Sequence, residues 1–188
     1  MSALRQHIKD GARIHGIITN GGAKPNIVPE VAAAVFYVRA PESDYRDELL
    51  EKLRHCAEGA ALATGATLAF EIVGHAYKAM KPNRIIGDAF AKNLGALGEP
   101  LNLPPADAGL GSTDMGDVSQ AVPAIHAYIQ ICDEKIAGHS REFAQASASG
   151  RGFEVMLIAA KALAMTAIDL FTEQETIRRA KEEFSGAK

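Results

Sequence analysis

The stretch RIHGIITNGGAKPNIVPEVAAAVFYVR (residues 13–39) decides the fold of the N-terminal part, because it contains two strand-like runs joined by a turn. In the first run Ile14, Gly16 and Ile18 fall on one face and alternate with their neighbours, a period of two that is typical of a β-strand. NGGAKPN is a cluster of turn-forming residues. The second run is β-branched and aromatic and stops before Pro41. The two runs therefore predict an antiparallel hairpin.

Helical patterns lie on both sides of this hairpin. Residues 2–10 predict the end of a helix that stops at Gly11. Ser43 is a plausible N-cap for a second helix that ends at Gly65, with a buried stripe at Leu49, Leu53, Cys56 and Ala60. ATLAFEIVG (66–74) alternates again and predicts a third strand. Antiparallel strands with helices on one face form an α+β sandwich.

The pattern changes after KPN (81–83). Residues 98–124 are rich in Pro, Gly and Asp, and a loop of that length within a compact domain is usually functional. The apolar helix that the sequence predicts for 152–171 has a stripe wider than one face needs, which indicates packing on two sides. The other elements predicted for this part are a helix over 85–97, a buried strand IHAYIQIC (125–132) and a charged helix over 173–184.

Composition excludes several classes of protein. The chain has 188 residues, 47% of them hydrophobic and 23% charged, which is ordinary for a soluble globular protein. A net charge of -3 argues against nucleic acid as a partner. The longest apolar run, Val155 to Leu170, is interrupted by Lys161, so we expect no membrane span, and the N-terminus lacks a signal-peptide pattern. Cys56 and Cys132 predict two buried thiols in a cytoplasmic, reducing setting, with a disulfide as the less favoured alternative.

Motif searches give one weak candidate for chemistry. GLGSTDMGDVS (109–119) fails the dinucleotide pattern because Asp114 stands where the last glycine is needed, and a tight polar turn before a strand is an equal alternative. No H-E-x-x-H, Cys-x-x-Cys or G-x-S-x-G motif is present. In IAGHSREFAQ (136–145), His139 follows a flexible glycine at the entrance to a helix, a good position for a metal ligand. One imidazole does not make a metal site.

Four segments together resemble one enzyme family. Residues 13–41, GSTDMGDVSQAVPAIHAY (111–128), GHSREF (138–143) and AAKALAMTAIDLF (159–171) are similar, in order, to the co-catalytic zinc amidohydrolases. This is metallopeptidase family M-twenty, with its aminoacylases, carboxypeptidase G and a dipeptidase branch. The resemblance implies that residues 1–83 are a lid or dimerisation domain without its first strand, ferredoxin-like, with an antiparallel sheet and helices on one face. Residues 84–188 would be the C-terminal segment of the α/β zinc-hydrolase catalytic domain.

The resemblance also implies roles for particular residues. His139 matches the last zinc ligand, and Asn26 and Arg39 match lid residues that bind the carboxylate or amide of the substrate. The loop that lines the substrate pocket is matched by Gly111, Ser112 and Asp114. A turn-stabilising asparagine and an exposed strand arginine are the alternatives for Asn26 and Arg39. The family's other ligands and its general base have no counterpart, so no catalytic residue is assigned.

Two functions emerge as hypotheses. In the first, the chain is a portion of a metal-dependent amidohydrolase or dipeptidase that cleaves N-acyl amino acids or small dipeptides. The intact enzyme would use two divalent metal ions (zinc, with manganese or cobalt as alternatives), whereas this chain alone would bind none and be inactive. In the second, the chain is a non-catalytic dimerisation or ligand-binding module. Both hypotheses predict a homodimer through the lid, and uncovered apolar area on the helix 153–171 predicts oligomers.

Overall fold

A computed structural model describes residues 2–100 and 111–186 of the chain. They form two compact units, Met1–Ala79 and Met80–Lys188, which we call the first and second unit. The sequence predicts a domain boundary between residues 83 and 84, about four residues after the point between residues 79 and 80 where the two units meet. Residues 101–110 of the predicted polar loop lie outside the described residues.

The first unit contains the predicted hairpin. The unit's elements are α1 (Ser2–Arg5), β1 (Arg13–Asn20), β2 (Ala33–Arg39) and α2 (Ser43–Thr64). The strands pair antiparallel in a register that runs from Arg13 opposite Arg39 to Ile18 opposite Ala34. The prediction of two strands joined by a turn is therefore confirmed.

The strands approach each other closely at one glycine. Gly16 lies opposite Phe36, and a Cβ atom built on Gly16 would lie 2.0 Å from the Phe36 ring. The aromatic ring thus covers the glycine of the facing strand, an arrangement that stabilises glycine within sheets. Any larger residue at position 16 would have to displace the ring.

A small core holds the first unit together. Ala12, Tyr45 and Leu49 are buried together, and Ile8, Val38 and Ala40 pack against them. The backbone N–H of Lys9 donates to the Tyr45 hydroxyl at 2.9 Å, which fixes the segment before β1 on α2. The prediction of a helix up to residue 10 is wrong in length, because α1 ends at Arg5.

Helix α2 ends as predicted and begins differently. Gly65 has a φ of 67° and its N–H bonds the last carbonyls, as a left-handed glycine cap does. The N-cap is Glu42, without a side-chain cap, and the Ser43 hydroxyl instead accepts from the N–H of Ala79 at 3.0 Å. The prediction of Ser43 as N-cap is therefore wrong. Of the predicted stripe, Leu49 and Leu53 are buried, Cys56 is half-buried and Ala60 is exposed.

The predicted third strand over 66–74 is absent. The sheet of the first unit has two strands, and residues 66–74 form no strand. Ile72 and Val73 are 69% and 90% exposed. A strand needs ladder hydrogen bonds from a neighbour, and neither β1 nor β2 supplies them to this segment. The α+β class holds, with a smaller sheet than predicted.

The second unit is helical. Its elements are α3 (Arg84–Ala96), α4 (Met115–Ala121), α5 (Arg141–Ser147), α6 (Gly150–Thr172) and α7 (Gln174–Ser185). The predicted helices over 85–97, 152–171 and 173–184 are confirmed by α3, α6 and α7. Phe90 and Leu94 of α3 and Ala162 of α6 form the core, and partly buried Leu97, Ile125, Ile129 and Ile158 pack around it.

The predicted buried strand over 125–132 is wrong on both counts. The segment forms no strand, and Tyr128 is 77% exposed, with its ring stacked on His126 at 4.8 Å between centroids. One parallel bridge joins Pro82 to Ala124, where the N–H of Asn83 donates to the Ala124 carbonyl at 2.9 Å. Pairing between the two segments is therefore limited to the bridge at Pro82 and Ala124 and does not extend into residues 125–132.

Helix α6 is apolar on two sides. Its inner face is buried against the unit at Gly152, Val155, Ala162 and Thr166. Large apolar side chains on the opposite side are more than half exposed: Phe153, Met156, Leu157, Leu163, Ile168 and Phe171. The sequence predicts that α6 packs on two sides, whereas in the described part of the chain it packs on its inner side.

The apolar length of α6 also corrects an expectation. By length and composition, Gly150–Thr172 is long and apolar enough to cross a membrane, with 23 residues and a mean hydropathy of 1.7 over an 18-residue stretch. The sequence predicts no membrane span from the shorter run Val155 to Leu170; the helix extends beyond this run at both ends, so its length does not support that expectation. Core helices of soluble proteins satisfy the same criterion.

The last helix is fastened to the beginning of the second unit. Buried Asn83 caps α3 by accepting from the N–H of Ile86 at 3.1 Å, and its amide donates to the Ala180 carbonyl at 2.9 Å. Glu183 accepts from two N–H groups in the first turn of α3, at 3.0 and 3.1 Å. The Lys81 ammonium donates to the Phe184 carbonyl and lies over the Phe184 ring. Together these contacts, which we call the α7 clasp, join α7 to residues 81–86.

Candidate functional site

His139 occupies an unusual backbone conformation. Its φ is 62°, and among the described residues it is the one non-glycine residue with positive φ. This left-handed region is unfavourable by about 1–2 kcal/mol for a residue with a Cβ, and such strain persists where the surrounding structure imposes it, often at functional sites. The turn at Gly138 and His139 leads into α5, whose N-cap Ser140 accepts from the Phe143 N–H at 3.0 Å.

The imidazole of His139 is exposed and free to bind a ligand. It has no hydrogen bond or ion pair with any described residue. Within residues 2–100 and 111–186, however, no group of three or more His, Cys, Asp or Glu side chains could hold a metal ion. Catalytic zinc sites use three protein ligands. The described residues therefore do not form a complete metal site.

An apolar cleft adjoins His139 along the chain. It is open to solvent, has a volume of about 240 Å³ and includes Ile136, three residues before His139, and Phe143, four residues after it. The rest of its wall is the segment from Tyr128 to Glu134, which contains the half-buried thiol of Cys132. Both cysteines are free, as predicted, but half-buried rather than buried.

The predicted pocket loop precedes a helix. Gly111, Ser112 and Asp114 lie in this loop and are all exposed, and α4 starts at Met115, whose N–H donates to the Thr113 hydroxyl at 3.3 Å. The alternative predicts a polar turn followed by a strand. It is wrong about the strand, because the turn is followed by the helix α4. This short helix was not predicted, because it lies within a stretch rich in Gly and Asp.

Helix α4 is fixed in place by a serine that the sequence analysis did not single out. Ser119 is fully buried, accepts from the N–H of Lys81 at 2.9 Å, and donates to the Gly116 carbonyl at 2.8 Å. A buried serine on a seven-residue helix gives no distinctive pattern in the sequence. Its role depends on the contact of α4 with Lys81, which lies 38 residues earlier in the sequence.

Asn26 and Arg39 belong to the first unit, whereas the other predicted site residues belong to the second. Asn26 lies in the connection between β1 and β2, and Arg39 is the last residue of β2. Both are exposed, and neither side chain makes a hydrogen bond or ion pair within the described part of the chain. The Arg39 guanidinium can therefore bind a carboxylate without first losing a partner.

The strand register adds Arg13 to this surface. Arg13 lies directly opposite Arg39, and cross-strand neighbours have Cβ atoms about 4.5–5.5 Å apart. Arg13 is also exposed and donates one hydrogen bond, to the Ala12 carbonyl at 2.7 Å. Two guanidinium groups at one end of the hairpin, which we call the arginine pair, suit an anionic group. Arg13 was missed from the sequence because its pairing follows only from the register.

Shifted pKa values occur along the helix surfaces. In α7, a hydrogen bond from Arg178 lowers the pKa of Glu175. In α2, hydrogen bonds from Lys52 and Arg54 lower the pKa values of Glu48 and Glu51. These are ion pairs between residues three or four apart on exposed faces. They support helices rather than indicate a site.

Comparison with known proteins identifies the family. No protein-family model matches the chain. The chain is 39% identical to the Xaa-Arg dipeptidase of Mus musculus and 37% identical to that of Homo sapiens, in each case over 98% of its own length. It is also 25% identical, over 96% of its length, to one of the subunits of p-aminobenzoyl-glutamate hydrolase from Escherichia coli (strain K12). It spans less than half of each relative, namely 43%, 42% and 49%. With this similarity along nearly its whole length, the chain belongs to the M-twenty family of amidohydrolases and peptidases.

Proposed function

We propose that this chain provides the substrate-binding surface and one metal ligand of a metal-dependent dipeptidase or amidohydrolase. The observation that carries the proposal is the 39% identity to an Xaa-Arg dipeptidase along 98% of the chain. The strained backbone of His139 supports it independently, because strain of this kind persists where function requires a fixed geometry.

The arginine pair is assigned to the substrate carboxylate. A planar guanidinium can form two parallel hydrogen bonds to a carboxylate, and a dipeptide or an N-acyl amino acid carries one at its C-terminal end. Asn26 has both an amide donor and an acceptor, which suits the neighbouring carbonyl. Gly111, Ser112 and Asp114, in the second unit, are assigned to the loop that lines the substrate pocket, on the strength of the family resemblance alone.

The fold assignment belongs to the same proposal. Residues 1–83 would be a ferredoxin-like lid, and residues 84–188 part of an α/β catalytic domain. The antiparallel hairpin, against which α2 packs, supports the first assignment. The long apolar α6, packed on α3, supports the second.

His139 would hold one of the two divalent ions of the assembled enzyme, with zinc the first choice, and polypeptide outside these 188 residues would supply the other ligands and the general base. The isolated chain should then neither bind zinc tightly nor hydrolyse a dipeptide. The two free thiols favour a reducing, cytoplasmic setting.

A chimera tests the proposal. These 188 residues would replace the aligned residues of the mouse Xaa-Arg dipeptidase, and hydrolysis of a dipeptide with C-terminal arginine would be measured. We expect activity that His139→Ala removes and that Arg39→Ala lowers by about 10- to 100-fold in kcat/KM, the loss expected for one charged hydrogen-bond donor. Lys135→Ala is the control, since Lys135 is also exposed, lies in the same unit as His139 and is not part of the cleft wall.

A folded chimera without activity would overturn the proposal, and so would activity that survives His139→Ala. An analogue substrate with an amide in place of the carboxylate separates the roles further. If Arg39 binds the carboxylate, this analogue should be a poor substrate for the parent chimera and no worse for Arg39→Ala.

A second function is favoured by the lack of a three-ligand cluster in the described residues. The chain would then be a non-catalytic module that dimerises or binds a ligand through the first unit. Light scattering on the isolated chain, combined with zinc titration, distinguishes the two. A stable dimer whose fold is unchanged by zinc, together with an inactive chimera, would favour the module.

A further inference from the structure

The hairpin has one face that is turned away from the core of the first unit. Ile14 is buried and Val38 packs against that core, and successive side chains of a strand point to opposite faces. The residues on either side of them therefore lie on the other face, where the register forms three cross-strand pairs: Arg13 with Arg39, His15 with Tyr37, and Ile17 with Val35. All six residues are exposed. We call this surface the outer face of the hairpin.

The three pairs differ in their chemistry along the strands. Neighbouring pairs on one face lie about 7 Å apart, so over about 14 Å the outer face changes from two guanidinium groups to two rings and then to two aliphatic side chains. Neither strand contains an Asp or a Glu. Tyr37 is 66% exposed, and within the described residues neither its side chain nor that of His15 takes part in a hydrogen bond or a ring stack. Both rings are therefore available to a ligand that the arginine pair holds.

We propose that Tyr37 is a specificity-determining residue, which packs against the side chain of the substrate residue that carries the carboxylate, and that this side chain is aromatic. The inference rests on the proposed function, in which the arginine pair binds that carboxylate. In an amino acid the carboxylate and the side chain are bonded to the same carbon atom. A carboxylate held by one cross-strand pair therefore leaves its side chain beside the next pair, where Tyr37 and His15 lie.

Other substrate side chains suit this surface less well. A basic side chain would lie beside two arginines, and like charges placed together at a binding surface are unfavourable. An acidic side chain would compete for the arginine pair and bring its negative charge near the electron-rich faces of the rings. An aliphatic side chain buries apolar area, whereas an aromatic one also gains an edge-to-face or offset-stacked contact with Tyr37. This preference would set the chain apart from its mouse and human relatives, whose names specify arginine.

Ligand binding to the isolated chain tests the inference. The full 188-residue chain, isotopically labelled, would be titrated with the N-acetyl derivatives of phenylalanine, leucine, arginine and aspartate, and its amide resonances followed by NMR. We expect the largest shifts in residues 13–17 and 35–39. The phenylalanine ligand should bind about 3- to 10-fold more tightly than the leucine ligand, the range for one added aromatic contact, and the arginine and aspartate ligands should bind more weakly than leucine. N-acetylphenylalaninamide, which lacks the carboxylate, should bind at least about tenfold more weakly than N-acetylphenylalanine.

Variants at Tyr37 isolate the contribution of its ring. Tyr37→Leu keeps an apolar side chain at this exposed position, so the amide spectrum should show an unchanged fold, and the phenylalanine and leucine ligands should then bind within about twofold of each other. Tyr37→Phe keeps the ring and should keep the preference. Tyr77→Leu is the matched control, because Tyr77 is 49% exposed in the same unit and lies outside both strands. Arg39→Ala should instead weaken the phenylalanine and leucine ligands by the same factor, about tenfold or more.

Three results would overturn the inference. The first is that no ligand shifts the hairpin resonances, and the second is that the arginine, aspartate or leucine ligand binds as tightly as the phenylalanine ligand. The third is a preference for phenylalanine that persists in Tyr37→Leu or disappears in Tyr77→Leu.

The inference and the proposed function can fail separately. A preference for phenylalanine that depends on Tyr37, together with an inactive chimera, would support the specificity residue and count against the proposed function. An active chimera, together with an isolated chain that binds the phenylalanine and leucine ligands equally, would support the proposed function and overturn the inference.

Discussion

Replacing His139 by glycine should stabilise the chain while removing its proposed ligand. The φ of 62° costs a residue with a Cβ about 1–2 kcal/mol, and glycine adopts this region without that penalty. Glycine also gives the unfolded chain more freedom, which offsets about 0.4–1 kcal/mol of the gain. Since the imidazole has no hydrogen-bond or ion-pair partner among the described residues, no such contact is lost.

The expected net effect is therefore a gain of about 0.5–1 kcal/mol in the free energy of unfolding. For a chain of 188 residues this gain corresponds to a rise of about 1–4 °C in Tm. Thermal and urea unfolding followed by circular dichroism in the far ultraviolet measures it. His139→Ala is the control that keeps the Cβ, and its stability should stay close to the parent's. His139→Asn should fall between the two, because asparagine tolerates the left-handed region.

A loss of more than about 0.5 kcal/mol in His139→Gly would refute the reasoning, since the imidazole would then make a structural contact. In the dipeptidase chimera, the same substitution should abolish hydrolysis. A chimera that keeps its activity with His139→Gly would show that the strain serves another purpose.

Three further predictions concern stability. Asn83→Ala should lower the free energy of unfolding by about 2–3 kcal/mol in urea, because it removes a helix cap and the hydrogen bond that the buried Asn83 amide donates to the Ala180 carbonyl; a change below about 0.5 kcal/mol would contradict this. Gly152→Ala should cost about 1–3 kcal/mol, since its Cβ would lie 2.5 Å from the Ser147 carbonyl oxygen, whereas Gly150→Ala meets nothing within 4 Å and should be neutral. Acidification should reduce the helicity of α7. The ion pair with Arg178 lowers the pKa of Glu175 below its ordinary value of 4.5, so the pair stabilises α7 fully above pH 4.5, and this stabilisation is lost as the pH falls through the lowered pKa. An acid titration by circular dichroism that is unchanged by Arg178→Ala would contradict it.

The long helices could be predicted from the sequence because their signals are local. The period of α6, the glycine that ends α2 and the break at residues 81–83 all lie within a few residues of the elements they define. Ser43 shows the limit of such signals. A hydroxyl at a helix start can cap the helix or bind elsewhere, and in this chain its partner is Ala79, 36 residues away.

The strands show the same limit more clearly. Residues 13–19, 66–74 and 125–132 alternate about equally well, but 13–19 has a complementary run close by in the sequence, across one turn. The other two need neighbours from distant sequence, and periodicity does not report whether these exist. Arg13 was missed for a related reason, since its place beside Arg39 depends on the register. The backbone strain of His139 was likewise not visible in a Gly-His pair.

The α7 clasp has a consequence for protein engineering. It brings the chain at residues 81–86 alongside Ala180, Glu183 and Phe184, so the second unit closes on itself end to end. A short glycine-serine linker could join these ends, and new termini could be opened in an exposed connection such as Glu134–Gly138. A circularly permuted second unit of this kind should keep α3, α6 and α7 together, and it would move the points of fusion to another protein from residues 79–80 to the new termini at Glu134–Gly138.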